Sequence, residues 1–374
     1  GWIDTANQYT VGDTLDGNPF NDWIYLGWNF DLGHRMARLD SRLREMVAEG
    51  GIEASDMMEL QGDHRSPLGA LLSGGFVTAV GHALEEAATP GSHPDLSAFV
   101  DGLDMTTLQQ LGEMAAQLET WSFQTPAAVE GDPSASEISD SVATSIFNAT
   151  LTRLVPLAFG DEIQRVGTSP SSQQLAKALQ WAMVDPERLN SFDEDLGDTV
   201  LWDDLDTGEV ESRDERILQA MTAALDFLEQ RIGAEMDEWR WGKLHTIRFK
   251  TLVPVDMVGP SYDTFSIPPI GDPDYPDGFP RHGDLYVLDA CNFSITNGEN
   301  FSYGSGPSQR LVVEMTTEGP EAYNALPGGQ QHAGDAHHHA DEAELWRHNQ
   351  APRLAYEESE VVAAAERRIR FVSK

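Results

Sequence analysis

Apolar positions recur at helical spacing through the first part of the chain and alternate like a strand later. The spacing predicts a helix from about Arg35, with Met36, Leu39, Leu43, Met46 and Val47 on one face until Gly50-Gly51 stops it. Similar patterns predict helices through 56–89, 104–119, 137–155 and 172–184. Ser134 and Glu137 stand at capping-box spacing ahead of the 137–155 helix. A further helix, 213–232, carries Ile217, Met221, Leu225, Leu228 and Ile232 on one stripe. Residues 1–34 are rich in Gly, Asn, Asp and aromatics and read as a short strand followed by a long loop.

The period changes after Trp241. Within His245–Val253, Ile247 and Phe249 alternate with Arg248 and Lys250, as in a half-buried strand. Residues 254–283 contain seven prolines and read as an irregular crossing. Strand-like runs return at Leu285–Ala290 and Leu311–Met315, and helices near 340–348 and 358–369 close the chain. No internal repeat is visible. Three regions are expected: 1–34, a mainly helical 35–244, and 245–374 returning to a sheet whose other strands lie outside this chain.

Composition adds a sign to this outline. Apolar residues make up 40% of 374, enough for a buried core in one large domain or a few ordinary ones. No uninterrupted apolar run approaches the ~18 residues of a membrane span, so no span is expected. The 62 acidic against 24 basic residues give a formal net charge of -38. Such a surface repels a nucleic-acid duplex or an anionic membrane, whose partners select Lys/Arg patches. The excess of carboxylates suits either a high-salt habitat, where screening removes self-repulsion, or an ordinary acidic secreted protein. Cys291 is the only cysteine, which excludes an internal disulfide and a cysteine-rich zinc module.

The chain holds no Gly-x-Ser-x-Gly, no His-Glu-x-x-His and no phosphate-cradling glycine loop. His332, His337, His338 and His339 form its densest metal-like cluster. Three consecutive histidines diverge, so they do not all face one ion, and a polar surface turn or one structural histidine is the alternative. The acidic stretch Asp193–Asp214 lacks the spacing of a twelve-residue calcium loop and reads as a solvated, partly disordered loop.

The opening Gly1-Trp-Ile-Asp-Thr-Ala-Asn7-Gln8 resembles a strand of the penicillin acylase family. Asn21-Asp22-Trp-Ile-Tyr-Leu-Gly, Gly33-His-Arg35 and Arg38-Leu39 are similar to the approach to that family's first β-subunit helix. Leu60-Gln61-Gly-Asp63 with Ser66, Trp202-Asp203-Asp204 with Thr207 and Glu211, and Trp239-Arg-Trp241-Gly242-Lys-Leu-His245 resemble further blocks. Gly283-Asp284, Gly306-Pro307-Ser308-Gln309-Arg310 and Gly328-Gly329-Gln330 follow in the expected order. The likeness covers nearly the whole chain, which is similar to the C-terminal part of the family's β subunit.

The resemblance implies an α+β fold: part of a four-layer αββα sandwich of N-terminal-nucleophile hydrolases with a large helical excursion. It implies an amidohydrolase that cleaves a small-molecule acyl-amide, such as an acyl-homoserine lactone or a penicillin, through an acyl-enzyme. The nucleophile implied is an N-terminal Ser upstream of Gly1, on the remaining partner parts: the α subunit and the N-terminal part of the β subunit. Within this chain the resemblance assigns Asn7 to the oxyanion hole, Arg35 to support of the nucleophile region, and Asp22 to a structural calcium ion. It also implies autoproteolytic processing and a periplasmic or extracellular location. Some positions depart from the family: Gln8 replaces a second Asn, and Gln331-His332-Ala333-Gly334 replaces a run of small polar residues before the His338 match. The competing expectation is a non-catalytic secreted or surface protein that retains the fold for assembly or binding.

Overall fold

The structure is a computed structural model that describes residues 1–8, 30–250, 266–331, 336–365 and 369–371. Its first helices are α1 (His34–Glu49), α2 (Ala54–Gln61), α3 (Pro67–Ala88), α4 (Ser97–Asp101) and α5 (Met105–Glu119). They are followed by α6 (Ala135–Val166), α7 (Ser172–Val184), α8 (Arg213–Arg231), α9 (Ala343–Arg347) and α10 (Glu358–Ala364). The strands are β1 (Phe192–Asp193), β2 (Asp198–Thr199), β3 (Thr246–Ile247), β4 (Phe279–Pro280), β5 (Arg310–Thr316) and β6 (Gly319–Ala325). Mixed helix and strand make the chain α+β, as its sequence predicts.

Local chemistry sets the helix ends. The capping box expected at α6 forms: the Ser134 hydroxyl accepts from the Glu137 N–H at 3.3 Å, and Glu137 accepts from the Ser134 N–H at 2.8 Å. α6 then outruns its expected end at 155 and stops at Gly167, whose φ of 67° suits a residue without Cβ. The single pattern over 56–89 is two helices, because Ser66 caps a fresh start with Pro67 in the first turn of α3.

The chain folds as two compact units. The first comprises Gly1–Asp40, His64–Ile247 and Phe279–Gly306; the second comprises Ser41–Asp63, Arg248–Gly278 and Pro307–Lys374. At the centre of the first unit every side chain of α6 from Ser141 to Thr152 is buried. On a helix buried on all sides, the helix's own carbonyls are the nearest acceptors for a hydroxyl. Thr144 and Thr152 therefore donate to the carbonyls of Asp140 and Asn148 at 2.7 and 2.9 Å. α3 and α6 have the length and apolar composition of a membrane span, which no uninterrupted run in the sequence suggested. Their apolar windows are 44% and 83% buried inside the protein; at least for α6, that is the behaviour of a core helix.

Tryptophans pin the loops to this core, each with its indole N–H used. Trp202 donates to Asp198 at 3.1 Å, Trp239 to the Gly233 carbonyl at 2.7 Å, and Trp241 to the Gly283 carbonyl at 2.7 Å. A Cβ at Gly242 would come within 2.7 Å of Val129, so only glycine lets this segment lie against Ala127 and Val129.

Strand structure is sparser than the sequence suggests. Among the described residues the strands pair as three antiparallel two-stranded sheets, β1–β2, β3–β4 and β5–β6. The expected N-terminal strand is reduced to one bridge, Gln8 to Asp31. The strand expected over 245–253 is only Thr246–Ile247 plus a bridge at Phe249, with 251–253 outside the described residues. Leu285–Ala290 is a turn and not a strand: Leu285, Tyr286 and Val287 are all buried, so no alternation exists, and Tyr286 has a φ of 63°. β5 forms where expected, and its partner β6 was not foreseen because its polar, glycine-led sequence shows no apolar alternation. The closing helices contract to α9 and α10. In the second unit, Trp346 of α9 lies buried beneath the Arg310 guanidinium, 4.7 Å from its ring, and edge-on to Phe249.

Candidate functional site

The first unit brings Asn7 and Arg35 together. Asn7 sits in the left-handed region at φ 63°, which Asn tolerates better than most residues. Its carbonyl accepts the Asp31 N–H at 2.9 Å, and the Gln8 side chain accepts the Ala6 N–H at 2.7 Å, so the turn is closed from both sides. Arg35, in the first turn of α1, donates to the Ala6 carbonyl at 3.0 Å, to Asn7 Oδ1 at 2.9 Å and to Asp31 Oδ2 at 3.1 Å. A cation at a helix N-terminus meets an unfavourable dipole. The Asp31 carboxylate, one turn earlier, offsets it.

This arrangement fixes the amide of Asn7. A guanidinium has only donors, so the atom facing Arg35 is the oxygen, and the two Nδ2 hydrogens point elsewhere. Asn7 is exposed, so those hydrogens are open to a ligand's oxygen. Asp31 was missed by sequence reasoning, although its i,i+4 spacing to Arg35 is the signal of an ion pair.

Other expected positions divide differently. Asp22 lies outside the described residues, as does His332. The acidic loop is ordered around a cation already in the chain. The buried Arg216 lies 3.4 Å from both Asp204 and Glu211, while Glu211 also accepts the Asp204 N–H and the Thr207 hydroxyl at 2.9 Å. Asp193 accepts the N–H groups of Asp195 and Leu196. Of the consecutive histidines, His339 turns inward towards the Gln331 carbonyl, while His337 and His338 stay side by side. The divergence expected from three adjacent side chains is what the turn displays.

Two buried clusters were not foreseen. Asp284, fully buried, accepts from the Ser66 hydroxyl at 2.6 Å and from Asn148 at 3.3 Å. Burial pushes its carboxyl up to about 7, against the lowering effect of those two donors. Nearby in sequence, Arg281 pairs with Asp289 at 2.5 Å, and His282 Nε2 lies 2.8 Å from the same carboxylate oxygen. Burial first, then the Arg281 charge and His64, hold His282 well below the usual histidine range despite Asp289. His245 stacks on Trp241 with ring centroids 5.0 Å apart, and its Nδ1 lies 2.6 Å from the Phe301 carbonyl. Burial lowers it to about 4, so it is neutral near pH 7. Asp284, Arg281, Asp289 and His245 are buried and serve the core, while His282 is partly exposed beside them.

The Penicillin amidase family profile matches residues 1–363. The chain is 26% identical over 355 residues to the acyl-homoserine lactone acylase QuiP of Pseudomonas aeruginosa, covering 92% of this chain and 36% of that protein. It is 22% identical over 351 residues to QuiP of Pseudomonas syringae pv. syringae, covering 94% and 36%. The chain thus spans about a third of the length of these curated relatives. Among solved structures, a thermostable penicillin G acylase from Alcaligenes faecalis aligns over 100% of this chain and 56% of its own, at 16% identity and a TM-score of 0.44. That last likeness is too slight to carry an argument.

Proposed function

The chain belongs to the penicillin amidase family, and from that premise we propose that it is the oxyanion-stabilising part of an N-acyl amide hydrolase. Asn7 is the donor to the developing oxyanion, and Arg35 is the positioning residue that fixes its amide. The nucleophile is an N-terminal serine on the remaining part of the enzyme. Its α-amine, with an ordinary pKa of about 7.7–8.0, takes the hydroxyl proton as Oγ attacks the acyl carbon. Negative charge then develops on the former carbonyl oxygen, and an Nδ2–H of Asn7 donates to it. Collapse expels the amine, which takes the proton, and water hydrolyses the ester in a second pass through the same oxyanion.

The observation that carries this reading is the 2.9 Å bond from Arg35 to Asn7 Oδ1, which commits the amide hydrogens to another oxygen. The names of the curated relatives support an acyl-homoserine lactone as the first substrate to test. The calcium expectation rests on Asp22 alone, and no step depends on it. In the complete mature enzyme, Asn7→Ala is expected to lower kcat on an N-acyl-homoserine lactone by about 10²–10³ with little change in KM. Unchanged turnover in the folded variant would remove Asn7 from the reaction.

A further inference from the structure

The hairpin of β5 and β6 in the second unit has two edges that end differently. Thr316 and Gly319 flank a two-residue loop, so they form a hydrogen-bonded pair and the ladder alternates from there. Arg310, Val312, Glu314 and Thr316 therefore bond to β6, while the N–H and C=O groups of Leu311, Val313 and Met315 point away from it. The Gln61 amide, which donates to the Leu311 carbonyl at 2.9 Å from outside the ribbon, agrees with this register.

On the β6 side the chain closes its own edge. The Ala322 carbonyl accepts the Leu354 N–H at 2.7 Å, and the Asn324 N–H donates to the Pro352 carbonyl at 3.1 Å. On the β5 side the pairing does not continue past Gln61. Among the described residues, no bond reaches the outward N–H and C=O groups of Val313 and Met315. A row of unpaired strand groups is a template for another strand.

The side chains divide in the same register. Arg310 and Val312 are buried, whereas Leu311, Val313 and Met315 are 44%, 47% and 78% exposed. Their cross-strand neighbours are Asn324, Ala322 and Pro320, so this face of the ribbon is uncharged in a chain of net charge -38. An exposed apolar face of this kind marks a contact, and a two-stranded ribbon is marginal by itself in water.

We propose that the outer edge of β5 takes a further β-strand from the part of the acylase outside this chain, with apolar side chains beside Leu311, Val313 and Met315. Two observations favour that occupant over a second copy. The chain spans about a third of the length of its curated relatives, which leaves most of such an enzyme to supply strands. Two copies would each bring a net charge of -38 to the same edge, and like charge opposes that pairing. This occupant presupposes that the chain is one part of a larger hydrolase, as proposed above; it involves neither Asn7 nor Arg35.

The test is residue-resolved amide hydrogen exchange on the complete mature enzyme. At an open edge Val312 and Glu314 exchange slowly and Val313 and Met315 fast; with a strand added, all four are expected within about tenfold of one another. Outward amides that exchange about a hundredfold faster than their neighbours overturn the proposal. So does protection that appears only as protein concentration rises, because that assigns the edge to a second copy. Val313→Pro removes one outward N–H and none of the β6 ladder, so an edge strand accepts it and a central strand does not. It is expected to speed exchange at Met315 by about a hundredfold while Val312 and Glu314 stay protected. Unchanged exchange at Met315 would mean burial without pairing and would also overturn the proposal. The pattern in the parent decides even where the variant does not fold. Turnover is not the readout, so a failure at β5 leaves the role of Asn7 standing, and the reverse.

Discussion

Arg35 with Asp31 and Arg281 with Asp289 are two arginine–aspartate pairs of the same unit in opposite surroundings. The first pair is 3.1 Å apart with side chains 20% and 7% exposed; the second is 2.5 Å apart with 1% and 0%. Around Arg281 the Asp289 carboxylate is enclosed, and the guanidinium charge, opposed by Asp289, helps to keep His282 neutral. Around Arg35 the guanidinium also takes a carbonyl and an amide oxygen, and its binding to Asn7 turns a pair of hydrogens outward. The difference separates a pair that serves the core from the pair beside the proposed oxyanion donor. The large pKa displacements of Asp284, His245 and His282 come first from burial in the core. The arrangement we propose for the reaction is the more exposed one, singled out by the direction of a hydrogen bond.

The contrast breaks first at the buried pair. Asp289→Asn leaves Arg281 as an enclosed charge without its carboxylate, and a loss of about 3–5 kcal/mol is expected in denaturant unfolding. Asp31→Asn, the same substitution at the less enclosed pair, should cost less, about 1 kcal/mol. Equal losses would erase the distinction between the two regions.

Asp284 sharpens it through pH. The folded carboxyl holds its proton to about 7, whereas the unfolded one releases it near 3.8. The folded state therefore binds more protons between those values. The stability this group allows is fully present below about 3.8 and is lost as pH rises towards 7. The loss is at most about 4 kcal/mol by linkage. Asp284→Asn should remove this decline, so its melting temperature gains on the parent from pH 4 to pH 7. A constant gap across that range would mean that Asp284 is ionised in the folded protein.

Asn7→Ala comes next, at about 10²–10³ in kcat, with a loss of about 1 kcal/mol in unfolding free energy because alanine takes the left-handed backbone of Asn7 less readily. The smallest expected effect on turnover belongs to Arg35→Lys. A lysine keeps the charge but does not grip the Ala6 carbonyl, Asn7 and Asp31 at once, and about tenfold in kcat is expected at unchanged pH profile. If Arg35→Lys alters the pH profile as well, Arg35 acts on a titrating group and not through Asn7.

Much of the helical architecture was legible in the residues. α1, α5, α7 and α8 start and stop within a few positions of their apolar patterns, and the capping box at Ser134 forms as its spacing foretold. Periodicity and caps are local: a few neighbouring side chains decide them, so they survive any tertiary context. The strand region was legible only at β5, because Leu285–Ala290 and β6 depend on what lies across from them. Asn7 and Arg35 were singled out by resemblance, and their bond spans 28 positions.

What the sequence alone determined is the order of helices, the acidic sign of the surface, and the family to which the chain belongs. Only the tertiary structure decided which side chains meet. Ser66 reaches Asp284 across 218 positions, and His339 turns away from His337 and His338. The reason is physical. A helix needs one face to be apolar, which composition at a fixed period encodes. A paired carboxylate or a fixed amide needs a particular partner at about 3 Å, and chain folding alone sets that distance.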